Sequence, residues 1–184
     1  EDGIRYLVRS RGLGDVYKRQ SLTRTASATD ATTVWRLRAW DEPALEERFL
    51  SEGVIAMSAD EIGDMTSWPS DDELRRRLRA GTDNRGEQAI GMFVRYWDDF
   101  RNRMKPGDVV VVPLLGRRAA IGLITGDYEY RFTENEPRMR HTRKVRWLRT
   151  VDRSALDDGI RKVVNAPGTI CRIKALGAAD WLMG

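Results

Sequence analysis

The chain has 184 residues, 32 of them basic and 28 acidic, with a single cysteine and a single histidine. That length fits one domain with tails, and at 41% apolar residues it can build a core, while the longest apolar run, residues 109–115, is far short of the roughly 20 residues of a membrane span. A disulfide scaffold and a Cys/His zinc site are excluded, and most metal-assisted and triad chemistry with them.

Residues 10–20 read SRGLGDVYKRQ, which back-translates in one frame to what looks like a transposon-based sequencing adapter. Residues 1–20 are therefore set aside as a translated, non-native scar. Residues 21–32, rich in Ser, Thr and Ala without an apolar period, read as a flexible lead-in to a domain at 33–184. Without the scar, 27 basic residues face 25 acidic ones. Residues 21–100 carry a net −6 and residues 101–184 a net +8, which argues for one basic face. Of the 32 basic residues 27 are arginine, which suits bidentate phosphate contacts and equally suits a GC-rich genome.

Residues 33–39 (TVWRLRA) alternate at period two, as a half-buried strand does. Asp41 then caps a helix with Pro43 in its first turn, the stripe Leu45, Phe49 and Leu50, and a stop at Gly53. Residues 54–57 form a short buried strand and 58–69 a polar loop. Ser70, Asp71, Asp72 and Glu73 make a capping box for a helix ending at Gly81. The longest predicted helix is 86–104, with Ile90, Phe93, Val94, Trp97, Phe100 and Met104 on one face. Strands follow at 108–113 and 119–125, joined through Gly116, Arg117 and Arg118. Gly126 breaks the second, and 128–132 continues extended. Residues 144–148 are a strand, 154–158 a helical turn, 169–173 a last strand, and the remainder a tail helix. The pattern predicts an α+β fold, a small mixed β-barrel of about six strands flanked by helices.

Three stretches in order carry a family resemblance. They are 34–40 leading to Gly53 through Met57 and Ile62 through Thr66; 103–113 (RMKPGD and the strand after it) with Ala120 through Gly126; and 140–148 (RHTRKVRWL). Together they resemble the EVE branch of the PUA-like superfamily, which also holds the YTH domains, and in particular the EVE-like domain at the amino end of Mrr-type restriction proteins. The resemblance implies a PUA-like barrel that holds a flipped or unpaired modified base at its mouth and breaks no bond.

By position in that resemblance, Trp40 falls where related domains place a pocket residue, and Met57, Ser58, Ala59 and Asp60 where they place a wall. Residues 133–140, with Met139, match the segment that supplies further cage aromatics. Ala59 and Met139 stand where related domains carry tryptophan, so a three-tryptophan cage is not expected. Tyr128, Tyr130, Phe132 and Trp68 are the alternatives for the missing wall. Each residue also has a plainer role. Trp40 would pack beside a helix start, Ser58 and Asp60 would cap a turn, and Cys171 would be core.

Residues 138–149 hold six basic side chains and no acid. On a strand Val145 and Trp147 point one way, Lys144 and Arg146 the other. Arg138, Arg140, His141, Arg143, Lys144 and Arg146, with Arg117 and Arg118 of the hairpin, are the candidate nucleic-acid backbone contacts; the alternative is a solvated strand face. Four phosphate contacts would give a log–log salt slope of about −3 to −4.

The function expected is a DNA-binding reader of a modified base in a modification-dependent restriction system of the phage-defence kind, with no catalysis of its own. Neither Glu-x-Lys nor Asp-x-Lys occurs after residue 20, so the nuclease would lie in a further domain or on a partner chain. An RNA-binding PUA-like domain is the alternative. A hydrolase of nucleic-acid fragments would need a converging acid and base, and Asp98 and Asp99 are helix neighbours aimed differently. No cofactor, metal or membrane partner is expected, and the prokaryotic cytoplasm is the location the resemblance implies.

Overall fold

The computed structural model describes residues 32–38, 43–58, 61–81, 86–132 and 136–184. β1 (Val34–Leu37) is buried at all four positions. Its period-two pattern separates two cores rather than core from water. Trp35 and Leu37 face one apolar cluster and Val34 the other. Arg36 is buried as well, its guanidinium bonded to the carbonyls of Gly168 and Pro167 and to Cys171 Sγ.

α1 (Pro43–Glu52) buries Leu45 and Phe49; the expected cap, Asp41, lies outside the described residues. β2 (Val54–Met57) follows. α2 (Asp71–Ala80) opens on the capping box, with the Ser70 hydroxyl accepting from Glu73 N at 3.2 Å. α3 (Glu87–Asp98) ends in a π-helical turn, Asp99–Arg103, so the predicted helix 86–104 loosens in its last turn.

β3 (Val109–Pro113) and β4 (Arg118–Tyr130) meet at a hairpin on Gly116 and Arg117, both at positive φ, 65° and 62°, the combination a tight hairpin requires. β4 is continuous through Gly126. The expected break is a bulge, seen as a register shift between Ile124 and Tyr128 against β5 (His141–Asp152). A 3₁₀ turn, Pro137–Met139, precedes β5, and another, Arg153–Ala155, follows it. The helical turn expected at 154–158 is this second 3₁₀ turn, and α4 (Asp158–Asn165), capped by Asp157, is a helix the sequence pattern did not indicate. β6 (Ile170–Arg172) and α5 (Ala178–Met183) complete the chain.

The sheet runs β2-β5-β4-β3-β1-β6, with only β1 and β3 parallel. The fold is α+β with six strands flanked by helices, as expected, and the sheet stays open, with β2 and β6 as its edges. α1, α2 and α3 pack on one face over Trp35, Ile55, Val110 and Val112. α4 and α5 cover the other, over Val34, Val109, Val111 and Ile121. Asp108 fastens the middle, its carboxylate accepting from Trp35 Nε1 at 2.8 Å and from the amides of Thr33 and Lys105, both at 3.1 Å. The Met104 to Asp108 turn is thus structural. Among the described residues no helix is long and apolar enough to cross a membrane.

Candidate functional site

Strand register gathers one group of sequence candidates at a single end of the sheet. Met57 of β2 and Tyr130 of β4 both pair with His141 of β5, so the chain leaving β2 at Ser58 emerges beside the segment that enters β5. Arg131 N donates to Arg140 O at 2.7 Å, holding the two strand ends together. Beyond them Phe132 is 69% exposed, and the Arg140 guanidinium lies over its ring at 5.2 Å from the centroid. Trp68 is half-buried against the main core, and Ser58 is partly exposed.

Beneath this end lies a nest of rings. His141 is 2% exposed, with Trp97 at 4.7 Å and Tyr130 at 5.1 Å between ring centroids. Its Nδ1 is 2.8 Å from the Tyr128 hydroxyl, which itself accepts from Met65 N at 3.3 Å, leaving the hydroxyl proton for Nδ1. Burial pushes the His141 imidazole down to about 4; the Asp64 carboxylate opposes that shift and the Arg140 cation adds to it. The imidazole is therefore neutral at pH 7. Burial likewise pushes the Tyr128 phenol up to about 12. Arg101 sits over the Tyr128 ring at 4.9 Å and donates to Met65 O at 2.7 Å.

The run of basic residues is less uniform than the sequence reads. Val145 is buried and Trp147 packs on the core, donating from Nε1 to Phe49 O at 2.8 Å, while Lys144 and Arg146 are exposed, in agreement with the expected alternation. Two of the expected backbone contacts are overturned. Arg143 is 2% exposed, with donors on Phe100 O at 2.7 Å, Arg101 O at 2.9 Å and Gly126 O at 3.2 Å. His141 is enclosed by the rings just described. Both lie on the inward face that carries Val145 and Trp147, so neither meets a phosphate. Arg138 is held by Glu136 through Nε at 2.7 Å, and Lys144 reaches Glu129 at 3.2 Å. Arg117 and Arg118 are exposed but belong to the opposite end of β4.

Of the expected pocket residues, Met57 and Met139 are core side chains and do not line an open wall. Each points from its strand or turn into the apolar cluster, where thioether burial is favoured. Trp40, Ala59 and Asp60 lie outside the described residues. Among the described residues no group of three or more His, Cys, Asp or Glu is placed to hold a metal. Sequence reasoning missed the Tyr128–His141 pair and the Arg101 lid. The period-two pattern at 144–147, carried back three residues, would have turned His141 and Arg143 inward.

The sequence matches the family described as "Domain of unknown function (DUF8426)" over residues 35–172, and the chain belongs to that family. No curated protein matches it. Among solved structures it is similar to the YTH domain of the Zygosaccharomyces rouxii MRB1 protein in complex with N6-methyladenosine RNA. The two share 13% identity, with 84% of this chain and 86% of that one covered and a TM-score of 0.44.

Proposed function

We propose that this domain is a non-catalytic nucleic-acid reader that receives one unpaired or flipped modified base at the end of the sheet formed by β2, β4 and β5. Its target in this proposal is DNA, and its partner a nuclease of a modification-dependent restriction system, in a further domain or on a separate chain. The observation that carries the reading is Phe132, a large ring left open to solvent with the Arg140 guanidinium over it. Exposed aromatics paired with cations are stacking platforms for bases, each worth about 1–3 kcal/mol. The exposed Lys144 and Arg146 on β5 supply cations along the same strand. The order of the three motif stretches, and their likeness to EVE-like restriction domains, supports the choice of DNA.

Discrimination needs more than stacking. One buried methyl contributes about 0.8 kcal/mol, roughly fourfold. The rest must come from leaving a polar base edge unpaired, which costs about 1–3 kcal/mol.

Fluorescence anisotropy at fixed salt, with labelled duplex DNA, single-stranded DNA and RNA, each with and without N6-methyladenine or 5-methylcytosine, tests the reading. Phe132→Ala is expected to weaken the preferred ligand by about 1–3 kcal/mol with an unchanged melting temperature. A preference for RNA would move the target class to the alternative. No binding to any nucleic acid would end the proposal.

A further inference from the structure

A second feature lies at the other end of the β4–β5 ladder. Arg118 pairs with Asp152 there, and Tyr130 with His141 at the Phe132 end. The 13 residues of β4 separate the two ends by roughly 35–40 Å at about 3.3 Å per residue. Between the β3–β4 hairpin, the 3₁₀ turn after β5 and α4 opens a cleft of about 370 Å³, lined by Arg117, Arg153, Ser154, Arg161 and Asn165. We propose that this cleft is a phosphate-binding site, independent of the Phe132 platform.

The cleft is a built feature. Arg153 N donates to Arg117 O at 2.7 Å and ties the hairpin to the turn. Arg161 and Asn165 sit one helical turn apart on α4, facing the same way. The Arg161 guanidinium is fixed by Ser154 O at 3.0 Å, Leu156 O at 3.4 Å and the Asp158 carboxylate. Arg153 donates to Asn165 Oδ1 at 3.1 Å, while its buried Nε has no partner. The Arg117 guanidinium makes no hydrogen bond with a described residue, and its field adds to the Ser154 hydrogen bonds in holding the Asp152 carboxyl below the usual carboxylate range. Two acids stand close by. Asp158 holds Arg161, and Asp152 accepts from Ser154 N at 2.7 Å and Ser154 Oγ at 2.6 Å. The lining itself contains none.

The lining decides the ligand class. It has no aromatic ring to stack a base and no aliphatic wall to bury an alkyl chain. Three arginines, a serine and an asparagine line it, donor types suited to a tetrahedral oxyanion. The space accommodates more than one phosphoryl group.

Arg117 adds a second line of argument. At φ 62° it holds a backbone conformation that glycine and asparagine adopt readily and a long side chain does not. Turn geometry therefore does not favour arginine, and the place of its guanidinium in the lining of the cleft is the compensation.

Isothermal titration of the full chain with inorganic pyrophosphate, at constant ionic strength and against a chloride control, tests the site. Saturable binding is expected. Arg117→Asn, which suits the backbone, should weaken it about ten- to hundredfold with a melting temperature equal to or above that of the parent protein, while Phe132→Ala leaves it unchanged. A 12-nucleotide single strand and a nucleoside triphosphate, each run in competition with pyrophosphate, separate the two sources of the phosphate. Displacement by the 12-mer identifies a strand backbone, and displacement by the triphosphate alone a free nucleotide. Absence of saturable pyrophosphate binding, or equal binding by Arg117→Asn and the parent, would overturn the proposal.

Discussion

At His141 the folded protein holds an imidazole that takes up its proton only near pH 4, against 6.5 for the ordinary side chain. Between those values the unfolded chain binds a proton that the folded one does not, so stability rises with pH across the window. It is complete above 6.5 and lost as pH falls toward 4. By pH 5 this amounts to about 2 kcal/mol. Urea midpoints at pH 7.5 and pH 5 should therefore converge in His141→Gln relative to the parent, because the substituted side chain does not titrate; an unchanged difference would place the acid sensitivity on other groups. Burial brings Arg143 down to about 10, opposed by the Asp127 and Asp108 carboxylates, so it stays charged at pH 7, and three carbonyls accept from its donors. Neither fate is visible in the string RHTRKVRW, where charge argues for solvent and only the spacing from Val145 and Trp147 argues for the interior.

Among the elements, the best-read were those whose signal is local. The capping box of α2 and the apolar stripe of α3 depend on neighbours within a turn, and both formed as expected. The π turn at Asp99–Arg103 was not readable, and the interruption read at Gly126 takes the form of a bulge in a continuous strand; both places face a distant residue. The carbonyls of Phe100, Arg101 and Gly126 all serve Arg143. Asp108 belongs to the same class of long-range feature, joining β1 to β3 across 73 residues through the Trp35 indole. Asp108→Ala strands that buried N–H together with two backbone amides, and should cost about 2–4 kcal/mol of stability in chemical denaturation. A loss below about 0.5 kcal/mol would mean that these donors find other partners.

For the molecule as a whole, the asymmetry of charge between the two halves is real, but the fold distributes it over both ends of the sheet. Four phosphate contacts on one strip are no longer expected once Arg143 is inside and Arg138 is occupied by Glu136. Arg140 over Phe132, with Lys144 and Arg146 farther along β5, leaves three candidate contacts, so single-strand affinity should fall with salt at a log–log slope of about −2, at roughly 0.7 per contact. A measured slope of −4 or steeper would show that the far arginines join the same ligand. The sequence identified the six strands and their class. It pointed to a small barrel where the sheet is open, and it left the two-faced core undecided, since alternation along one strand does not reveal whether helices cover its second side.

The placement of β1 carries a consequence for how this chain is made. Its two neighbours, β3 and β6, come later in the sequence, at residues 109–113 and 170–172, so the first of these six strands to be synthesised is among the last to find a full set of partners. Pairings this far apart slow folding, and until residues 170–172 arrive one side of β1 presents bare amides and carbonyls beside Trp35. A nascent or clipped chain in that condition offers an adhesive border to its own copies, which makes the last strand, only three residues long, the guard against self-association.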